Sequence, residues 1–248
     1  MDKPDYTDGV IAVIGSGNVA THLVKALAPH VNVVAVNSRT LDNFPEGCRI
    51  AIISVADRAI GEVAERIAGR AEIIAHTSGS VPMQVLEGSA PSLGVFYPLQ
   101  TFTKDAEMTY SDIPFFIEGN NPETDSILKG LASLVSDTVI EADSAKRKQL
   151  HLASVFACNF SNYLVDVADR ILHEKGMDYT LLLPLLRRTV AKLEKIPPDK
   201  AQTGPAARKD IPVIEAHLGM LAGTPELQEI YRLLSAGIMD KKTDKKHI

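Results

Sequence analysis

Two groups of residues have the types and spacing to do chemistry. The first is Gly15-Ser16-Gly17-Asn18-Val19-Ala20, a G-x-G-x-x-A run. In it Gly15 permits a tight turn, Gly17 offers no side chain to block a diphosphate, and Ala20 lets a helix pack close to a strand. The second is Lys148, His151, Val155, Asn159 and Asn162, which share one stripe when projected at 3.6 residues per turn. On that stripe His151 and Lys148 can handle a proton and Asn159 can orient a substrate. Bland readings stand beside these: His151 as a satisfied core or subunit-contact histidine, and Lys148 as a solvated residue of the charged first turns.

Elements must hold these residues in place. Val10-Ile11-Ala12-Val13-Ile14 is an apolar run without alternation, the pattern of a strand buried on both faces. The glycine run follows it and opens a helix over about 18–28, stopped near Pro29. Such a helix turns its free N–H groups and positive dipole end toward a bound anion. A glycine turn that binds no nucleotide is the alternative.

A second strand, Val31-Asn32-Val33-Val34-Ala35-Val36, ends at Asn37-Ser38-Arg39-Thr40. NAD-binding folds place a carboxylate there for the ribose 2′-hydroxyl, and none is present. The hydroxyls of Ser38 and Thr40 and the Arg39 guanidinium suit a 2′-phosphate instead, favouring NADP(H). Arg39 as a solvated turn residue is the alternative. Between Thr40 and Arg49 there is no room for the usual crossover helix and third strand, because a crossover needs a dozen or more residues. A trimmed sheet edge and an open adenine side are expected.

The next strand covers 50–55, and a helix over 59–68 follows with Asp57 as a cap. Ser54, Val55 and Ala56 then lie at the strand's carboxyl end, beside a cofactor. Another strand, 72–76, leads to His76-Thr77-Ser78-Gly79-Ser80 and a short helix over 81–86. The His76, Thr77, Ser78 and Ser80 side chains either bind substrate oxygens and the nicotinamide ribose or cap that helix, and both can hold. Strand 93–96 runs into Tyr97 and Gln100, polar groups at a strand end that point to substrate binding. Strands at 113–118 and 138–140 flank a helix over 123–135.

From Ala142 onward helical periodicity replaces strands, so the boundary is expected near residues 141–143: a dinucleotide-binding domain over 1–141 and an all-helical domain over 142–248. Asp143-Ser144 can cap a helix running to about Glu174. Leu150, Leu152, Phe156, Ala157, Phe160 and Leu164 should give its stripe apolar surroundings, and Cys158 reads as a small core residue. A further helix over 179–195, begun or kinked at Pro184, carries leucines for core or dimer contacts. The loop 202–210 joins an amide, a hydroxyl, a flexible glycine and an arginine. Gln202, Thr203, Gly204 and Arg208 suit an anionic or carbonyl-bearing substrate, the alternative being a plain helix connector. A lysine-rich tail over 240–248 is expected to fray.

The totals exclude several classes. A net charge of -5 over 248 residues argues against nucleic-acid binding. The acidic first residues contain no signal-like apolar core, and no apolar run reaches the about 20 residues a membrane span needs. No metal-ligand spacing is present. Cys48 and Cys158, far apart, suggest a reduced, cytoplasmic protein.

With VIGSGNVATHL, HTSGS, FYPLQTF, QLHLASVFACNFSNYL and AQTGPAARKD in hand, the chain resembles the predicted NADP-dependent oxidoreductases that join a Rossmann domain to a helical domain of unknown function. That family is similar to the 6-phosphogluconate dehydrogenase, hydroxyisobutyrate dehydrogenase and pyrroline-5-carboxylate reductase superfamily. The resemblance implies a doubly wound, mostly parallel sheet, an all-α domain for substrate and dimerisation, and a homodimer acting on a small molecule. Lys148-Gln149-Leu150-His151 resembles the K-x-x-H of the phosphogluconate enzymes, whose lysine is the acid/base. Leu152 stands where those enzymes have asparagine, which shifts the expected catalytic role toward His151. The implied reaction is hydride transfer between NADP(H) and a small carbonyl, hydroxy-acid or imine; a catalytically silent NADP-sensing or partner-binding module is the alternative.

Overall fold

The structure, a computed structural model, describes residues 9–240. The described residues form two compact units that part between Leu164 and Val165. The first unit is built on seven strands, β1 (Val10–Ile14), β2 (Val33–Val36), β3 (Cys48–Ile53), β4 (Ala71–His76), β5 (Ser92–Pro98), β6 (Phe115–Gly119) and β7 (Val139–Glu141), ordered β2-β1-β3-β4-β5-β6-β7. Neighbours from β2 to β5 are parallel, β6 runs antiparallel to β5, and β7 is parallel to β6.

The central strands lack polar alternation because both faces are covered. Ile11, Val13, Ile50 and Ile52 pack on one face with α1 (Asn18–Leu27) and, further along, α3 (Pro122–Ser133). Ala12, Ile14, Ala51 and Ile53 pack on the other with α2 (Ile60–Arg66). The fold class is the one expected, a mostly parallel Rossmann-type sheet followed by helices.

The trimmed edge is present: β2 ends the sheet, and the chain passes directly to β3. Leu41, at φ 57°, and Phe44 turn inward and are buried, and the Arg70 guanidinium lies 4.2 Å above the Phe44 ring. Asn43 serves β2 as a neighbouring strand would: its amide donates to the Ala35 carbonyl at 2.7 Å and accepts from the Asn37 N–H at 3.3 Å.

Three local expectations are corrected. The segment expected as a helix over 59–68 is a 3-10 turn, Asp57–Ala59, followed by α2, and Asp57 caps nothing. The short helix after Pro82 is a 3-10 turn, Met83–Leu86. The long helix is α4 (Ser144–Ser154), a π-helical turn (Val155–Asn159) and α5 (Phe160–His173). Asp143 does cap α4, accepting from the Lys146 N–H at 2.8 Å.

The surroundings expected to be apolar are on the surface: Leu152, Phe156, Phe160 and Leu164 are exposed, as is Cys158. Strand gives way to helix between β7 and α4, whereas the compact units part at Leu164, inside α5. Arg147, with no exposed surface, and the partly buried Leu150 fasten α4 to the sheet unit.

The second unit contains a 3-10 turn (Tyr179–Leu182), α6 (Leu183–Leu193), begun at Pro184, α7 (Pro198–Ala201), α8 (Pro205–Arg208), α9 (Ile211–Met220) and α10 (Pro225–Asp240). The His217 ring nitrogen meets the Tyr231 hydroxyl at 2.7 Å, tying α9 to α10. The tail expected to fray lies outside the described residues beyond Asp240. Among the described residues no helix is long and apolar enough to cross a membrane, and no cluster of potential metal ligands occurs.

Candidate active site

At the carboxyl edge of the sheet the first unit opens a cleft of about 480 Å3. Its floor is the turn between β1 and α1. Gly15 sits at φ 142°, and a Cβ there would stand 2.0 Å from the Ser54 carbonyl oxygen. Close approach of β3, together with the turn, demands this glycine. Gly17 differs: its backbone is extended, and a Cβ would meet nothing within 4 Å. No internal neighbour requires that glycine, so its missing side chain leaves space open to the cleft. No side chain caps α1, and its first N–H groups are available to an anion. Asn18 turns its amide to the Phe102 carbonyl, 2.7 Å away.

One end of the cleft is Ser38 and Arg39. Their turn is held from behind by Arg66, whose two terminal nitrogens donate to the Ser38 and Arg39 carbonyls at 2.9 and 2.7 Å. A second groove of about 650 Å3 continues outward past Asn37, Thr40, Asp42 and Asn43, where a longer sheet would have its next strand.

The other end is formed by Ser54, Val55, Ala56 and Asp57 after β3, by Thr77, Ser78 and Gly79 after β4, and by Tyr97 and His151. The Thr77 hydroxyl donates to the Ser54 hydroxyl at 3.2 Å. The Ser78 hydroxyl accepts from the Ser80 and Val81 N–H groups at 3.1 and 3.0 Å, so it satisfies backbone donors of its own loop, while no side chain caps the 3-10 turn after Pro82. The Ser80 hydroxyl donates to Asp57 at 2.5 Å, which joins the two loops and turns a carboxylate into the lining.

Tyr97 and His151 meet at the innermost point, the phenol oxygen 3.4 Å from His151 Nδ1 with the rings edge to face. Both rest on Gly79, where a Cβ would lie 2.6 Å from the Tyr97 ring and 3.0 Å from that nitrogen. Burial raises the Tyr97 phenol pKa above its usual value. At neutral pH the phenol is a proton donor, not a phenolate.

Of the expected residues, the cleft gathers Ser16, Gly17, Asn18, Val19, Ser38, Arg39, Ser54, Val55, Ala56, Thr77, Ser78, Tyr97 and His151, and the adjoining groove adds Gly15, Asn37 and Thr40. His76 is a correction. It is wholly buried, its Nδ1 accepts from the Ser78 N–H at 3.1 Å, and burial together with the nearby Arg147 charge lowers its pKa to about 4. It is a neutral structural acceptor beneath the cleft, and its side chain does not line the wall.

Gln100 is exposed, its oxygen accepting from Thr101. Lys148, Asn159 and Asn162 are exposed and do not line the cleft. Lys148 stands about 100° around the helix from Arg147, whereas His151, four residues on, returns to the inward face. The π turn adds a residue to the winding, so spacing at 3.6 does not carry from His151 to Asn159 and Asn162. Gln202, Thr203, Gly204 and Arg208 belong to the second unit. There Thr203 and Gly204 border a shallow pocket of about 300 Å3 with His217 and Tyr231, and Arg208 faces Asp210 at 4.0 Å.

Sequence reasoning missed Asp57, Gly79 and Arg147. Asp57 was masked by its position before a helix and Arg147 by two flanking lysines. A usable signal was Glu118, the carboxylate ending the apolar run Phe115-Phe116-Ile117, which needs a buried cation.

A mostly parallel sheet with a glycine turn and an uncapped helix at its carboxyl edge defines a Rossmann-type α/β protein. Residues 113–238, about half of the chain, match the family described as "Domain of unknown function (DUF2520)". A solved structure from Bacteroides fragilis, described as a "putative NADP oxidoreductase", is 38% identical over 95% of this chain and 100% of its own, with a TM-score of 0.88. This chain belongs to the DUF2520 family.

A Thermotoga maritima protein is 23% identical over 94% of this chain and 98% of its own, with a TM-score of 0.72. A 1-pyrroline-5-carboxylate reductase from Streptococcus pyogenes is 12% identical over 94% and 98%, with a TM-score of 0.60. These two share the fold. No curated protein matches this chain.

Proposed function

We propose that this protein is an NADP(H)-dependent oxidoreductase that moves a hydride to or from a small carbonyl, hydroxy-acid or imine compound, working in the cytoplasm as a homodimer. The observation that carries the reading is the single cleft that joins the open space above Gly17 and the uncapped α1 terminus to the Tyr97–His151 pair. The likeness to the 38% identical Bacteroides fragilis protein, described as an NADP oxidoreductase, supports the cofactor.

The residues fit such a group. The main chain of Ser16, Gly17, Asn18 and Val19 would take a diphosphate, with Gly15 making the turn. Ser38, Arg39 and Thr40, flanked by Asn37, would take a 2′-phosphate through hydroxyls and a guanidinium. Ser54, Val55, Ala56, Thr77 and Ser78 would border the nicotinamide end. Bound there, the cofactor supplies or accepts the hydride. The chain's own task is to hold a substrate and move a proton, which falls to His151 with Tyr97 beside it. On the second unit, Gln202, Thr203, Gly204 and Arg208 have the amide, hydroxyl and guanidinium suited to a carbonyl or anionic group of a substrate. Both cysteines are free thiols, in keeping with a reducing compartment.

Nicotinamide fluorescence during titration of the protein into NADPH tests the first step, and no binding at millimolar cofactor ends the reading. Arg39→Ala should weaken NADPH at least tenfold while NADH affinity changes less than twofold; equal losses would remove the 2′-phosphate assignment. His151→Ala should leave NADPH binding intact and abolish cofactor-linked turnover on a panel of carbonyls and imines. The shortened sheet edge favours a second reading, an NADP-binding module without turnover, and binding with no oxidation across that panel would select it.

A further inference from the structure

Arg147 has no exposed surface, although the lysines on either side of it are in solvent. A buried guanidinium is tolerated only when its charge is paired and its five N–H groups find acceptors. Here they do. Nε donates to the Ser78 carbonyl at 3.2 Å. One terminal nitrogen donates to the Glu118 carboxylate and, at 3.4 Å, to the Ala142 carbonyl. The other donates to the Val81 carbonyl at 2.8 Å and the Ser144 hydroxyl at 3.3 Å. Ser144 in turn donates to Glu118 at 3.0 Å.

These acceptors lie on three different elements. Ser78 and Val81 bracket the turn that carries Gly79, Glu118 is the last residue but one of β6, and Ala142 and Ser144 flank the Asp143 cap of α4. One helical turn after Arg147, on the same face, comes His151. Its ring meets Tyr97 of β5 across the Gly79 backbone, with no room for even a methyl group between them. We infer that Arg147 is the positioning residue of this site: clamped by Glu118, it sets the rotation of α4 and the height of the Gly79 turn, so that His151 and Tyr97 meet at the inner end of the cleft. The inference rests on the reading above that this end is where a substrate reacts. Lysine cannot substitute, because donors radiating from one nitrogen cannot reach Ser78, Val81 and Glu118 together.

The test is made by NMR on the cofactor-free full chain. It observes the contact between the Tyr97 and His151 rings and the His151 ring-proton shift, assigned through His151→Asn and Tyr97→Phe. Arg147→Lys keeps the charge; it should retain the wild-type circular dichroism, lose the Tyr97–His151 contact and displace the His151 signal. A second variant, Glu118→Gln with Arg147→Met, removes both charges at similar volume and should do the same. In both, NADPH affinity should stay within about threefold, since the proposed diphosphate and 2′-phosphate contacts lie on elements that Arg147 does not touch, and any turnover should fall at least tenfold in kcat with little change in KM.

A folded variant of either kind with the ring contact and shift unchanged overturns the inference. Failure of both to fold overturns it too, because the pair would then hold up the unit rather than aim a helix. The outcome is separable from that of the functional reading: absence of NADPH binding by the wild type would remove the latter, while the ring contact needs no cofactor.

Discussion

The two glycines of the first turn do different work, and substitution separates them. Gly15→Ala places a methyl on the Ser54 carbonyl at a backbone angle that only glycine adopts freely. It should cost several kcal/mol, at least about 3, seen as loss of cooperative unfolding or a large drop in Tm. Gly17→Val meets no neighbour; it should leave Tm nearly unchanged and weaken NADPH binding at least tenfold. The spacing G-x-G made both residues visible in sequence, yet it could not tell one glycine needed by the fold from one spared for a ligand. His76 departs from its expected role for a related reason. A histidine at a strand's carboxyl end has the chemistry of a site residue, and only the fold shows its ring wholly buried beneath the loop that follows. Its folded pKa of about 4 lies below the usual 6.5. The unfolded chain therefore takes up a proton first as pH falls, and stability contributed by the neutral ring is present above about 6.5 and lost toward 4. The slope is about 1.4 kcal/mol per pH unit in that window. Urea unfolding at pH 7 and pH 5 should show it, and His76→Asn, which keeps an acceptor for Ser78, should remove that share of the slope.

Among the elements, the parallel strands were plain in sequence because a strand buried on both faces writes itself as an unbroken apolar run. The shortened stretch after Thr40 was equally plain, since chain length alone forbids a crossover. Nothing in composition shows how the exposed edge is satisfied, because one amide side chain, Asn43, does it from within an irregular loop. Asn43→Ala should destabilise the unit by about 1–2 kcal/mol and speed hydrogen exchange at β2 amides while β3 and β4 stay protected. The helix after Asp143 was legible at its start, where the cap is chemical, and illegible at its middle. An inserted residue in the winding leaves no mark on a hydrophobic pattern, so a stripe projected at 3.6 residues per turn loses its register beyond Val155. Arg147 escapes for the converse reason: basic runs at a helix start ordinarily belong to solvent, and its acceptors Ser78, Val81 and Glu118 come from 29 to 69 positions away in the chain.

At the scale of the molecule, the exposed apolar residues are concentrated in the helices. Phe156 and Phe160 of the first unit are 64% and 48% exposed, and Leu185 and Val190 on α6 of the second are 64% and 63% exposed. Exposed apolar surfaces of that kind call for a cover, which is the basis for proposing a second copy. Light scattering after gel filtration should give a mass near twice 26.8 kDa, and Leu185→Glu combined with Val190→Glu should give the single chain with its NADPH binding retained. A monomeric wild type at micromolar concentration would remove the dimer. Periodicity alone assigns Leu185 and its neighbouring leucines to core or dimer contacts, because a helix stripe looks the same whether it meets its own chain or another.

The fork of Arg66 on the 38–39 turn has a further consequence. Asp57, at the opposite tip of the same short helical segment, reaches across to the Ser80 hydroxyl, so one rigid strut of ten residues, roughly 15 Å long, braces both rims of the cleft. The 38–39 turn and the Ser80 loop thus lean on a single support, so a substitution that loosens this segment should be felt at both rims together rather than at one.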